Sequence, residues 1–461
     1  MDAIEFAGRK QALVGECVVA AEVFQQVERR LGEFLEPFVA SLVRREQVAH
    51  VRTFVSGLLS DLAHRNVESI AYRFGQERLP LQHFIGASAW DDRALRDELA
   101  RQIGHALGEP DGVLVFDPSG FPKSGRESVG VARQWCGRLG KVDNCQVAIY
   151  LGYVSSREHA LVDTRLYLPK EWTTDKERMA KAGVPQGTKD RTRHQLCLEL
   201  LAQHGPLLPH AWITGDDEMG RPSGFRRRLR ELDERYLLAV PSNTLIRDLA
   251  VAPPPILGVG RPRQRPWQSV SRWVAAQSAT AWIPVDVRDG AKGPLLVELL
   301  TTRVKARDDQ QRESADEEVL VVIRYRDRDQ RDVTKIDYYL SNAHPQALPA
   351  EFARAAKAAH RIEECFHRAK SEAGLADYEV RNWIGWQHHQ TRSLIATWFL
   401  VTETRRGKKR NPRRDAVADS IRHLPHSPPR LGMRYAITHR PRLPTPPRTQ
   451  RTGPPLPLET P

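Results

Sequence analysis

Val113-Leu114-Val115-Phe116-Asp117-Pro118-Ser119-Gly120-Phe121-Pro122-Lys123-Ser124-Gly125 is an apolar run that stops on a carboxylate and opens into a loop of Gly, Pro and Lys. The run 113–116 predicts a buried strand, with Asp117 at its end. A carboxylate in that position is well placed to hold a divalent cation. One carboxylate is not a site. Two partners lie far downstream: Asp216, after the apolar run 211–214, and Glu363, inside an amphipathic helix. Two strand-end aspartates and a helical glutamate are the donor set that a two-metal phosphoryl-transfer centre needs. Asp217 adjoins Asp216 and is an alternative to it, and strand-end aspartates also cap turns.

Outward from this stretch, residues 1–105 read as a helical N-terminal domain. Phe24, Val27, Leu31 and Leu35 recur at helical spacing, as do Val51, Phe54, Leu58 and Leu62. This domain either binds DNA or packs as a bundle on the domain after it. Residues 106–244 change to strand patterning, with strands expected at 113–116, 146–153, 160–168, 211–214 and 236–240. Helices are expected at 189–204 and 223–233. The order β-β-β-α-β-α-β predicts an α/β fold, a mixed sheet with helices of the ribonuclease-H type. The next 110 or so residues are too long for a bare loop. Segment 245–348 carries the strand runs 295–300, 319–324 and 336–340, and reads as a β-rich insertion. Residues 349–403 return to helix, at about 350–372 and 387–403.

The chain has 461 residues, 40% of them hydrophobic, enough for a substantial core. No apolar run reaches the roughly 18 residues of a membrane helix, and the start of the chain lacks a secretory pattern. Five cysteines without a CxxC pair argue for a reduced, intracellular protein. The net charge of +13 suggests a polyanionic partner, but its distribution qualifies that. Residues 405–461 hold 14 Lys and Arg against 3 Asp and Glu, so the rest of the chain is close to neutral. Segment 404–461 also carries 12 of the 32 prolines and few large apolar residues, which predicts a disordered basic tail.

The third acidic residue lies in His360-Arg361-Ile362-Glu363-Glu364-Cys365-Phe366-His367-Arg368-Ala369-Lys370. Glu363 and Lys370 are seven apart and share a helix face, with Phe366 between them. A carboxylate on a metal with a lysine for a phosphate suits a nuclease; an ordinary solvated helix would carry the same charges. Lys123, Arg126 and Arg133 follow Asp117 and could clamp phosphates. Trp383 and Trp386 could stack on unpaired bases or fill a core. His388 and His389 are adjacent and point apart on a helix, which disfavours shared ligation. No phosphate-binding G-x-x-x-x-G-K-[ST] loop is present, so ATP is not expected.

The runs 117–125, 128–137 and 140–146 resemble the first catalytic block of IS701-type insertion-sequence transposases, part of the wider IS4-like group with a DDE triad. Trp212-Ile213-Thr214-Gly215-Asp216-Asp217-Glu218-Met219-Gly220 resembles the second block, and alignment on Gly220 makes Asp216 the catalytic position. The run 236–244 resembles the following strand, and 362–370 with 374–381 the third block. The resemblance spans about residues 20–403. It implies a ribonuclease-H-like fold with a β insertion, and cleavage and joining of DNA strands. It implies two Mg²⁺ ions, with Mn²⁺ able to substitute, on Asp117, Asp216 and Glu363. Lys370 would contact a DNA phosphate, with Lys123, Arg126, Arg133, Arg361 and Trp383 as further DNA contacts. Double-stranded DNA would be the partner, in a homodimer without ATP, in a bacterial cytoplasm at the nucleoid. Two positions depart from the pattern. Ala356 and Ala359 stand where the IS4-like signature has Tyr and Arg, with Lys357 or Arg361 as substitutes, and Met219 stands where an aromatic is usual. A nuclease that cuts without joining, and a catalytically inactive DNA-binding descendant, are the alternatives.

Overall fold

The structure is a computed structural model that describes residues 26–254, 264–290, 293–326 and 332–410. It begins with five helices: α1 (Val27–Val39), α2 (Arg45–Leu58), α3 (Val67–Arg73), α4 (Arg78–Gly86) and α5 (Asp92–Leu107). Leu31, Leu35 and Phe38 on α1, with Val51, Phe54, Val55 and Leu58 on α2, join the same core as the sheet. Asn66 and Asp91 cap α3 and α5 through side-chain oxygens, satisfying orphan N–H groups at the helix starts.

Four strands come next: β1 (Val113–Pro122), β2 (Ala132–Cys136), β3 (Lys141–Val154) and β4 (His159–Leu166). Then come α6 (Lys170–Thr173), α7 (Lys176–Lys181), α8 (Arg193–His204), β5 (Trp212–Gly215), α9 (Asp217–Gly220), α10 (Ser223–Glu231) and β6 (Tyr236–Ala239). The segment read as an insertion holds β7 (Leu245–Asp248), β8 (Gln268–Ser269), α11 (Val270–Ala275), β9 (Ile283–Gly290), β10 (Gly293–Ala306), β11 (Glu318–Arg326) and β12 (Val333–Ser341). Two long helices close the described chain, α12 (Pro349–Glu372) and α13 (Trp383–Arg410). The last runs past the boundary expected near residue 403. The segment expected to be disordered otherwise lies outside the described residues, as do residues 1–25 of the helical N-terminal domain.

All these strands belong to one sheet, in the order β2-β3-β1-β5-β6-β12-β11-β10-β7-β8, with β4 on β3 and β9 on β10. The pairs β4–β3 and β3–β1 are antiparallel, whereas β1–β5 and β5–β6 are parallel. The strands of 245–348 extend the same sheet, because β12 hydrogen-bonds to β6 in antiparallel register, Leu340 opposite Leu238.

One correction bears on the site. Asp117 is not at a strand end: β1 continues to Pro122. Lys123 N–H donates to the Asn144 carbonyl of β3 at 2.9 Å. By the two-residue period of a strand, the odd-numbered positions of β1 therefore aim their N–H groups at β3. Pro118 and Pro122 fall on the other edge, where pairing to β5 has ended at Phe116, so no donor is missed.

Helices cover both faces. On the face that carries Val115, Asp117, Ser119 and Phe121 lies α12, an alanine-rich helix that opens with Pro349 in its first turn. Its Ile362 sits over Gly152, where a Cβ would come within 2.5 Å of the isoleucine, and only glycine admits that approach. Its Phe366 meets Tyr150 edge-on at 4.9 Å. On the opposite face Phe116 packs against Phe225 of α10, which in turn touches His194 of α8.

Candidate active site

Parallel pairing brings two of the acidic residues together. Phe116 and Gly215 are the last paired residues of β1 and β5. Asp117 continues β1 and Asp216 directly follows β5, so both acidic residues adjoin the last paired positions. There the strands part: β1 runs on while Asp216 caps α9, accepting from Met219 N–H at 3.1 Å. The helix is held close because Gly220 meets the Ala239 carbonyl of β6, where any Cβ would collide.

Burial pushes the Asp117 carboxyl up to about 8, reinforced by the charges of Asp216 and Glu363 and opposed by Lys370. Burial also raises Asp216, to about 6, against the hydrogen bond from Met219 and with the charges of Glu218 and Asp217 adding. Burial is the main reason both carboxyls resist ionising, and neighbouring acidic groups add to it. As whole residues Asp216 and Asp217 are both exposed, and they differ in their partners: Asp216 accepts the Met219 N–H, whereas Asp217 pairs with Arg221 at 3.1 Å.

Glu363 lies on α12, close enough to act on Asp117 electrostatically. Its carboxylate is exposed and turned to His360 Nδ1 at 3.1 Å. Among the described residues no three His, Cys, Asp or Glu side chains stand together as a ready metal cage. Lys370 points inward. Its Nζ donates to Ser119 Oγ at 2.9 Å, two residues from Asp117 on the same strand face. Burial lowers the Lys370 pKa, and the nearby Arg138 charge adds to the effect. The amine also lies 5.2 and 5.7 Å from the ring centroids of Phe366 and Phe121. A hydroxyl orients this ammonium without neutralising it, which leaves it suited to an anion.

The other basic residues divide. Arg126 and Arg133 are exposed. Lys123 instead tucks over the Tyr378 ring, 3.6 Å from its centroid, and donates to the Tyr378 carbonyl. Burial brings its pKa down to about 8. Arg361 is engaged on the far side of α12, with the Ser155 carbonyl at 2.8 Å and Glu158 at 3.3 Å. Trp383 lines a cleft with Arg165, Leu168, Thr188 and Lys189, away from the acidic pair. Trp386 is fully buried. His388 and His389 bond the carbonyls of Ile85 and Gly374, and burial holds both near 3, so they are neutral core groups.

Three contributors escape a linear reading. Ser119 is signalled only by its i+2 spacing from Asp117. Arg193 bridges Glu218 at 2.5 Å and Gln134 at 3.1 Å, joining the second acidic block to the β2–β3 hairpin. Arg138, in that hairpin's turn, acts on Lys370.

Residues 37–294, which hold both aspartates, match the DDE superfamily endonuclease family. The chain belongs to this family. It is also 29% identical over 199 residues to a protein of Microchaete diplosiphon described as a probable transposase for insertion sequence element IS701. That match covers 42% of this chain and 49% of the relative, so the chain spans about half the length of that protein. The IS701-type resemblance read from the catalytic blocks is thereby supported. The large mixed sheet with helices on both faces is consistent with a DDE nuclease fold. No described helix is long and apolar enough to cross a membrane.

Proposed function

We propose that this protein is a transposase that cuts the ends of a DNA element and joins them to target DNA. The observation that carries the reading is the pairing of Asp117 and Asp216 where β1 and β5 separate, with Lys370 on the helix above. The strand order β4-β3-β1-β5-β6, antiparallel on one side of β1 and parallel on the other, supports a ribonuclease-H-like core. The strands of 245–348 then form an insertion that lengthens its sheet, α1–α5 an N-terminal domain, and α12 and α13 the closing helices.

The donor set suits a hard cation. Asp117 and Asp216 offer anionic oxygens, and their raised pKa values reflect burial and neighbouring negative charge that a divalent ion would offset. Glu363 would complete the set by a side-chain rotation away from His360. Bound Mg²⁺ or Mn²⁺ would supply Lewis acidity to the phosphodiester and to the attacking and leaving oxygens. Lys370, steadied by Ser119, would hold a non-bridging phosphate oxygen. Arg126 and Arg133 would bind the flanking backbone. Water attacks the phosphorus at the element end and displaces its 3′-oxygen, leaving a 5′-phosphate on one side and a free 3′-hydroxyl on the other. That hydroxyl attacks a target phosphodiester in line and displaces a target 3′-oxygen, so the number of phosphodiester bonds is conserved without ATP. A dimer on double-stranded DNA in the bacterial cytoplasm completes the proposal.

The test uses purified protein, DNA carrying the element ends and a target plasmid. Metal-dependent nicking and joined products are expected, with both lost by at least about a thousandfold in Asp117→Asn and Asp216→Asn. Nicking without joining would reduce the activity to that of a nuclease. Nicking that survives in Asp216→Asn but not in Asp217→Asn would move the second carboxylate.

A further inference from the structure

Beside this centre, β2 and the first half of β3 form a hairpin whose outer side carries exposed apolar side chains. Trp135 and Val142 are cross-strand partners, 53% and 52% exposed, and Leu139 in the turn is 42% exposed. Large exposed apolar side chains are otherwise scattered over the described surface; in this hairpin three fall within eight residues. Arg133 stands two residues before Trp135 on the same strand face, and Arg138 occupies the turn. Both arginines are without an ion pair among the described residues. Asn144, opposite Arg133, ties down the adjoining loop by bonding the carbonyls of Lys123 and Gly125, which keeps exposed Arg126 alongside.

The hairpin is braced against the active site. Gln134 donates to the Cys145 carbonyl at 3.0 Å and accepts from Arg193, which also holds Glu218. Cys136 on its inner side lies against Gly120, three residues past Asp117. Gly140, at φ +62°, closes a turn in which Leu139 and Gly140 both bond the Cys136 carbonyl. The tip thus presents an indole and two guanidinium groups that form no ion pair among the described residues, Arg133 within electrostatic reach of Asp143, on the sheet face that carries Asp117. A flat π surface bordered by cations is what an unpaired nucleobase and its phosphates require. A second copy of this chain would find the apolar side chains suitable but would have to bury the arginines without counter-charge.

We propose that this hairpin is a single-strand grip: Trp135 stacks on an unpaired base beside the cleaved phosphodiester, while Arg133 and Arg138 bind its flanking phosphates. The inference rests on the DNA-cleaving reading above. It is tested in chelator-containing buffer, where binding is separated from cleavage, by anisotropy of labelled oligodeoxythymidine and of a blunt duplex. Trp135→Ala should weaken oligodeoxythymidine binding about tenfold and duplex binding much less, and Trp135→Phe should restore most of the loss. Arg133→Ala and Arg138→Ala should each reduce the salt dependence of binding by about one phosphate contact. Wild-type affinity in Trp135→Ala overturns the proposal. So does a change in its mass by light scattering with DNA binding intact, which would make the face an interface between copies. Loss of Trp135-dependent binding while wild-type protein fails to nick DNA in Mg²⁺ would sink the transposase reading and leave the grip standing.

Discussion

Ser119 and Lys370 are 251 residues apart in the chain and 2.9 Å apart in space, beside Asp117. A hydrogen bond to a charged group contributes about 1.5–3 kcal/mol, so losing one that aims a phosphate-binding ammonium should slow cleavage by about tenfold to a hundredfold. Ser119→Ala is expected to do this and Ser119→Thr to retain most of the rate. The decisive comparison is the double variant. If the hydroxyl acts through the lysine, Ser119→Ala adds little to Lys370→Ala, whereas independent roles would multiply. At this scale the sequence is partly legible. Asp117 and Asp216 stand out because each follows an apolar run, and the strands that carry them are neighbours. Lys123 reads as an exposed loop cation because its cover, Tyr378, lies 255 residues downstream. Asp117 reads as a strand terminus because Pro118 looks like a breaker until the bare edge beside it is known.

Elements are joined most firmly at Asp163 on β4. This fully buried carboxylate receives Arg96 of α5 at 3.2 Å, Arg165 at 2.5 Å, and His204 of α8 at 2.7 Å. Burial opposes its ionisation, but the charges of Arg96, Arg165 and His204 prevail and hold it well below the ordinary carboxylate range. Its folded pKa is depressed. The stabilisation is therefore present above the unfolded value of about 3.9 and is lost as pH falls below it. Urea denaturation across pH should show an acid limb that flattens in Asp163→Asn, and that variant should lose about 3–5 kcal/mol at neutral pH. An unchanged acid limb would place the acid sensitivity elsewhere. The sequence shows most of these elements through periodicity, including the helix expected at 350–372. It hides β2, β7, β8 and β9. Two are very short, and β2 alternates exposed and buried side chains around Arg133 and Trp135 with little apolar signal. Asp163 itself sits inside an apolar strand run, and only the folded chain brings its three cationic partners together.

Across the whole molecule, one face of the sheet carries the main core into the strands of 245–348, while their other face holds a second core around Ile246, Trp273, Leu320 and Leu340. Tyr236 of β6 donates to Glu318 of β11 at 2.6 Å, and Arg226 of α10 pairs with the same carboxylate at 2.8 Å, all three buried. Calorimetry should therefore give one cooperative transition for this body. Two separable transitions, one abolished by deleting 245–348, would mean the segment folds by itself. Periodicity reveals that the segment is strand-rich but not its attachment, because register between β6 and β12 depends on side chains about 100 residues apart.

The bare edge of β1 also bears on what can reach the acidic pair. Unpaired strand edges invite foreign strands, and aggregation results. Between Asp117 and Pro122 the two prolines remove two of the three amide donors that such a guest would need, leaving Gly120 alone on that edge. The rim beside the acidic pair thus offers an incoming strand only a broken ladder, and it favours a guest held by charge over one held by amides.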